Sequence, residues 1–553
     1  MLFTSSKNPN PKPFLTITHI FFTLLLALFG SRTQGHSSTS ELDDSLVYIW
    51  PLPSEISFGK DTLIVDPDLS LAVGGEGGKS EIIRAAFDRY RGIIFKHSHG
   101  VSRFKLRGGS VYDIRKLTVI VNSDSEELQL GADESYSLLV ARNDGRSIVG
   151  EATIEANTVY GALRGLETFS QLCAFDYGTK TVQVYKAPWY IRDKPRFGYR
   201  GLLLDTSRHY LPIDVIKQVI ESMSYAKLNV LHWHIIDEQS FPLEVPTYPN
   251  LWKGAYTKWE RYTVEDAYEI VNFAKMRGIN VMAEIDIPGH AESWGAGYPD
   301  LWPSPSCREP LDVTKNFTFD VVSGILTDMR KIFPFELFHL GGDEVNTDCW
   351  SSTPHVKQWL QDHKMTAKDA YQYFVLRAQE IAVSKNWTPV NWEETFNTFA
   401  ANLNPRTVVH NWLGPGVCPK AVAKGFRCIF SNQGVWYLDH LDVPWEGLYN
   451  AEPLEGINNA SEQELVLGGE VCMWGETADT SNVQQTIWPR AAAAAERLWS
   501  KRETISMGNT TLTALPRLHY FRCLLTRRGV QAAPVTNKYG RSPPTGPGSC
   551  YEQ

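Results

Sequence analysis

The chain has 553 residues, 43% of them apolar and 21% charged, with a formal net charge of −8. That is ample material for a large core. It allows two to four domains, or fewer where one is a barrel of about 250 residues. The mild acidity, with no Lys/Arg run of five, excludes a nucleic-acid footprint.

Lys7 and Lys12 precede FLTITHIFFTLLLALFG, which gives way to small and polar residues. A basic start, an apolar run and a cleavage zone read as a signal peptide over residues 1–35. The competing reading is an uncleaved anchor. The run is near the lower limit for spanning a bilayer, and Thr16, Thr18, His19 and Thr23 weaken it further. No second run follows, so no membrane anchor is expected after cleavage. Sequons at Asn316, Asn386, Asn459 and Asn509 agree with the secretory pathway, Asn386 being the weakest because Pro389 follows its Thr. Eight cysteines in an oxidising compartment should partly pair, and the lack of any CxxC disfavours a zinc or thioredoxin-type motif.

Residues 46–195 read as an α+β domain. KLTVIVNSD, ESYSLLVA and SIVGEATIEA look like strands, and residues 157–173 carry apolar side chains at helical spacing. GGEGGKS at 74–80 resembles a phosphate loop but has Val73 where that motif needs glycine, and no good helix is expected to open there. The proline-bearing stretch 185–200 reads as a linker.

From residue 196 to 553 a strand–helix rhythm sets in, with a C-terminal extension. The strand-like runs are GLLLDT, NVLHWHII, INVMAEIDI, LFHLGGDE, TPVNWEE, RTVVHNW, RCIFSNQG and LVLGGEVCMWGE. Most are followed by an amphipathic helix, and the last by SNVQQTIWPRAAAAAERLWS. Gly278 and Gly425 stand where helices should end. Alternation argues for a parallel sheet, and eight units argue for a closed (β/α)8 barrel. No GxGxxG follows the first strand, which weighs against a dinucleotide fold.

In such a barrel the chemistry sits at the C-terminal ends of the strands. Asp205, Arg208, Asp237, Glu238, Glu284, Asp286, His290, Asp343, Glu344, Glu393, Glu394, Asp439, Glu470 and Glu476 gather there. With them come Trp392, Asn411, Trp412, Trp436, Tyr437 and Trp474. Singly, a carboxylate there is a helix cap and a tryptophan is core. Together, acids with aromatic platforms suit sugar hydrolysis, in which carboxyl groups move protons and stabilise cationic charge. A metal-dependent barrel hydrolase built on His232 and His234, with His290 and His410, is one alternative. A non-catalytic sugar-binding protein is another.

The motifs GLLLDTSRHY, LNVLHWHIIDEQSFP, DIPGHAESW, HLGGDEVNTDCW, GGEVCMWGE and WPRAAAAAERLWS, in this order, resemble the β-N-acetylhexosaminidases of glycoside hydrolase family 20. The likeness runs from about Pro51 to the C-terminus and is nearest the eukaryotic vacuolar and lysosomal type, as in plants. It implies an α+β domain before the barrel, no cofactor or metal, oligosaccharide and glycoconjugate substrates, and a homodimer. It implies Glu344 as general acid/base and Asp343 as the residue that steers the substrate's acetamido group, one protonated and one ionised at the start. Asp237 and His290 become a relay behind Glu344. Trp392, Trp412 and Trp474 become the pocket wall, Tyr437 a donor to the acetamido oxygen, and Arg208 and Glu476 the holders of ring hydroxyls. HWH becomes structural. Asp439 precedes His440 where some members place a basic residue, which implies a preference for neutral sugars. The family pattern suggests disulfides Cys307–Cys349 and Cys523–Cys550. Cys418 with Cys428 is a further candidate pair, Cys173 is left open, and Cys472 reads as a buried thiol. Compartment stays open between vacuole and exterior.

Overall fold

The computed structural model describes residues 45–98, 112–142, 151–506 and 510–536. The signal segment, Asn509 and Cys550 lie outside them. No helix among the described residues is long and apolar enough to cross a membrane.

Six strands form the first sheet: β1 (Glu55–Gly74), β2 (Ile114–Val121), β3 (Tyr136–Val140), β4 (Ala152–Ala156), β5 (Cys173–Asp176) and β6 (Thr181–Asp193). Their order is β1-β2-β4-β3-β6-β5, with β1 also pairing β6. Helices Glu81–Ile94 and Val159–Leu172 supply the apolar cover. Two expectations fail here. A helix does open after GGEGGKS, because the Ser80 side chain caps it by accepting from Ile82 N at 3.1 Å. The supposed linker is mostly strand, with only residues 194–198 between β6 and the barrel. Val182, Val184, Trp189 and Ile191 are buried along β6 while Tyr185 and Tyr190 are exposed. Pro188 is tolerated where the β1–β6 register slips.

The barrel closes in the order β7 (Tyr199–Asp205), β8 (Val230–Ile236), β9 (Asn280–Ile285), β10 (Leu337–His339), β11 (Thr388–Trp392), β12 (Val408–His410), β13 (Arg427–Phe430), β14 (Val466–Met473). Every neighbouring pair is parallel. Side chains alternate between the interior and the helices. Trp233, fully buried, points out to the helices beside Tyr262 and Phe333, and its truncation to Ala should cost about 3–5 kcal/mol. Capping boxes Thr263/Asp266 and Thr366/Asp369 start two of the outer helices. Gly278 and Gly425 take left-handed φ of 66° and 84° just past helix ends, as the sequence suggests. The run at 481–500 is two helices, Val483–Ile487 and Arg490–Trp499, because Pro489 cannot donate within a helix.

Within the barrel the filling is layered. Tyr199, Val230, Met282, Leu337, Val390, Val408 and Ile429 form an apolar floor. Above it lie His232, Glu284, His339, His410 and Glu470, none exposed to solvent. Leu203, Trp392, Tyr437 and Cys472 come next, with Trp412 and Trp474 packed on them.

A buried ionic seam joins sheet and barrel. Glu134 takes Arg200 Nη2 at 2.7 Å and Arg164 Nε at 2.8 Å, while Lys227 Nζ meets Asp193 Oδ2 at 3.0 Å. Trp499 donates to the same Asp193 oxygen at 2.9 Å.

Candidate active site

Strand β10 ends at His339, and two glycines turn the chain over its rim. Gly341 and Gly342 have φ of 62° and 98°. A Cβ on Gly341 would come within 1.8 Å of Asp286 Oδ1, and one on Gly342 within 2.9 Å of Thr395 Cγ2. Asn391 Nδ2 and the Tyr371 hydroxyl donate to the carbonyls of Gly341 and Gly342. Thus held, the loop presents Asp343 and Glu344 together. The Glu344 side chain is 59% exposed and that of Asp343 12%.

Glu344 has φ of 49° and its neighbour His290 has φ of 51°, left-handed conformations that cost of order 1–3 kcal/mol each in a non-glycine residue. His290 Nε2 lies 3.5 Å from Glu344 Oε2 and 3.7 Å from Asp343 Oδ2. Its Nδ1 is 3.1 Å from Asp237 Oδ1. Arg208 Nη2 reaches Asp237 Oδ2 at 2.8 Å, and Nη1 reaches Asp205 at 3.1 Å and Glu476 at 3.8 Å. Its guanidinium lies over Trp474. Asp205 also accepts from the backbone of Ser207, Arg208 and Gly475, so it ties the first and last strand ends together.

The aromatic walls stand beside these acids. Trp412 and Tyr437 are nearly parallel, 12° apart with centroids separated by 6.4 Å, and Trp474 faces Tyr437 at 6.1 Å. Trp392, 1% exposed, donates to Glu284 Oε1 at 3.0 Å. Asp439 sits beside His440, 3.8 Å away.

Residues 197–502 match the glycosyl hydrolase family 20 catalytic domain, and residues 49–172 match a beta-acetyl hexosaminidase-like domain. The chain belongs to glycoside hydrolase family 20. It is 74% identical over 540 residues to beta-hexosaminidase 1 of Arabidopsis thaliana, covering 97% of this chain and 100% of that one. To the human beta-hexosaminidase subunit beta it is 34% identical, covering 96% and 98%. Among solved structures, the Flavobacterium johnsoniae chitobiase superposes with a TM-score of 0.76 at 28% identity, over 88% of this chain and 73% of that one. The family 20 chain is a plant β-N-acetylhexosaminidase, a retaining exo-glycosidase that acts on glycans.

Electrostatics in this family 20 site follow burial. Burial pushes the Asp343 carboxyl up, against the pull of His290 and a hydrogen bond from Asp286. Asp286, fully buried with no facing cation but His290, is pushed up further by burial and by Asp343. Both buried carboxyls are thus pushed toward the protonated form, Asp286 the further. The His290 imidazole, 3.5 Å away, draws Glu344 below its usual range. The two neighbours are thus shifted apart, the buried Asp343 upward and the exposed Glu344 downward in the free enzyme. Burial and Asp343 lift Glu394 to about 8, and burial lifts Asp439 to about 6.

Several sequence candidates take other places. Glu284 and Glu470 lie beneath the rim among histidines. Trp436 is fully buried and donates to Leu448 O at 3.1 Å, so it is core. Glu393 pins the next loop by accepting from Asn411 Nδ2 and from Trp412 and Leu413 N. Glu394 accepts from Trp412 Nε1 at 2.9 Å and sets that wall, a role no motif signalled.

Among the described residues three clusters could offer a cation ligands: His232–His410–Glu470, His232–Glu284–His339 and Asp286–His290–Asp343. In the first two, His232, fully buried, already hydrogen-bonds Glu470 at 2.8 Å and lies 2.9 Å from Glu284. His234, central to the metal alternative, joins none of them.

Cys307 and Cys349 are bonded, as the resemblance implied, and Cys418 with Cys428 form a second bridge that fastens helix Val417–Ala423 to β13. Cys523 is also disulfide-bonded, while its expected partner Cys550 lies outside the described residues. Cys173 and Cys472 are free thiols, the latter buried.

Proposed function

We propose that the enzyme removes terminal non-reducing GlcNAc or GalNAc from N-glycans, other glycoconjugates or chito-oligosaccharides, using the substrate's 2-acetamido group as nucleophile. The observation carrying this reading is that Asp343 and Glu344 reach one imidazole nitrogen, 3.7 and 3.5 Å away. Neighbours on one loop stand on one side of a sugar, whereas two-carboxylate hydrolysis needs one acid on each face.

Asp343 orients the acetamido group, whose oxygen attacks the anomeric carbon as Glu344 gives its proton to the leaving oxygen. The bond to the aglycone breaks, and an oxazolinium ion forms with its charge facing Asp343. Glu344, now a carboxylate, takes a proton from water. That water adds to the anomeric carbon, reopens the ring and restores the acetamido group. Two displacements retain configuration. A sugar seated over Glu344 shields its exposed carboxyl from water and raises its pKa toward that of an acid. Trp412 and Tyr437, nearly parallel with centroids 6.4 Å apart, offer apolar faces against which the acetamido methyl packs. Arg208, Glu476 and Asp439 take ring hydroxyls, and Asp439 favours neutral sugars over 6-sulfated ones.

An aryl β-N-acetylglucosaminide should be turned over while the matching aryl β-glucoside, with hydroxyl for acetamido, is not. Equal rates on both would overturn substrate assistance. The reading extends to a homodimer, checked by light scattering. It extends also to entry into the secretory pathway by cleavage near residue 35, with a vacuole-type compartment or the exterior as destination. Asn316, Asn386 and Asn459 are exposed, as glycan acceptors must be.

A further inference from the structure

The hydrogen-bond chain behind Glu344 does not stop at Asp237. Asp237 Oδ2 lies 2.7 Å from His234 Nε2, and His234 Nδ1 lies 2.6 Å from Glu284 Oε2. Glu284 in turn accepts from Trp392 Nε1 at 3.0 Å and lies 2.9 Å from both His232 Nε2 and His339 Nδ1. All these side chains are buried in the barrel. We propose that His234 is a positioning residue of the hydrolytic reaction: a cationic link through which Glu284 holds Asp237, and beyond it His290 and Glu344, in one alignment.

The proton count carries the argument. An ionised carboxylate only accepts, so an imidazole bonded to a carboxylate at each nitrogen must donate from both. His234 is in that position and is therefore an imidazolium. Asp237 has its acceptors filled, by Arg208 and His234 at Oδ2 and by His290 and Glu238 N at Oδ1. A carboxylate so filled has no room for a proton of its own. His290 must then donate from Nδ1, which leaves Nε2 to face Glu344. Without the His234 donor, Asp237 keeps Arg208 alone at Oδ2, and Glu284 loses its short contact toward the mouth.

The groups facing His234 are Glu284 on β9, Asp237 beyond the end of its own strand, and the edge of Trp474 at the end of β14. Arg208 and His290 reach it only through Asp237, and His232 only through Glu284. Burial works against charge on His234, but Glu284 and then Asp237 outweigh it and lift the ring to about 10. It therefore keeps its charge across neutral pH.

The inference rests on Glu344 as the acid/base, so Glu344→Gln is assayed beside His234→Gln. If Glu344→Gln keeps its activity, that assignment fails. With Glu344→Gln inactive, His234→Gln is expected to lower kcat by up to about 100-fold, the scale of a small misplacement at a reacting group. KM should stay within about twofold, and loss of a positive charge should move both limbs of the pH–kcat/KM profile upward by about one unit. His234→Gln/Glu284→Gln, which removes the unbalanced carboxylate, should recover part of kcat. Unchanged kcat and pH limbs in folded His234→Gln would overturn the proposal. Should that variant not fold, neutron diffraction from the wild-type chain at pH 7.5 decides. Deuterons on both His234 nitrogens support the link, and a singly protonated ring refutes it.

Discussion

Two regions of the barrel are built from the same kinds of side chain. In the interior, His232, His234, His339 and His410 alternate with Glu284 and Glu470, and none is exposed. At the mouth, one histidine meets Asp343 and Glu344, which are partly open. Inside, every carboxylate is matched to donors, and charge is fixed because losing a partner would strand an ion in a low-dielectric core. At the mouth the contacts are longer, near 3.5 Å, and a proton can move without breaking a packed network. The difference between a structural and a reactive His–carboxylate pair is thus one of donor saturation and exposure, not of residue type.

That contrast can be broken from either side. The largest effect should come from Glu344→Gln, with kcat on an aryl N-acetylglucosaminide lowered by about 10²–10⁴-fold and the thermal midpoint unmoved. A large drop in thermal midpoint would place Glu344 with the interior set. Glu284→Ala should do the reverse first, costing about 3–5 kcal/mol in urea unfolding because three buried histidines lose the carboxylate beside them. Asp286 tests whether a proton is shared with Asp343. Asp286→Asn, which still donates toward Asp343, should retain most activity, whereas Asp286→Ala should lose roughly tenfold or more. Equal loss in both would argue against a proton held there.

Stability should also follow the interior histidines. His232 and His234 are raised from 6.5 to about 9 and about 10, their carboxylate partners outweighing burial. A raised folded-state pKa stabilises fully below the unfolded value, and that contribution is lost as pH climbs through the folded value. Unfolding free energy should therefore decline from about pH 6.5 toward pH 10. The decline should flatten in His232→Gln, and an unchanged slope would contradict the charged interior. The smallest effect expected is Glu394→Gln, which keeps an acceptor for Trp412 and should alter KM by roughly twofold.

Much of this was readable beforehand, for identifiable reasons. Eight apolar runs with helices between them announced the barrel, and period two in HWH placed both histidines inward with Trp233 outward. HLGGDE pointed to its acids because two glycines before them permit a backbone no other residue fits. Depth was what remained hidden. Glu284 and Glu470 look like rim acids in one dimension, yet they precede the strand ends by enough to fall below the mouth. Prolines at 188 and 195 suggested a linker, since a bulge that tolerates proline leaves no mark in sequence. The Cys418–Cys428 bridge and the Glu394–Trp412 bond depend on loop paths that no local pattern encodes. The opposite shifts of Asp343 and Glu344 were hidden too, because they are set by the burial of one and by His290 beside the other.

The seam of Glu134 with Arg164 and Arg200, and of Asp193 with Lys227 and Trp499, bears on modularity. The Glu134–Arg200, Asp193–Lys227 and Asp193–Trp499 contacts each cross from the first sheet to the barrel, Arg164 crosses by donating to Gly278 O at 2.8 Å, and all of these side chains are buried. A barrel expressed alone would carry Arg200 and Lys227 with their counter-charges deleted and a formerly dry surface opened to water. The catalytic barrel is thus not a portable cassette, and the first sheet serves as its permanent counter-ion.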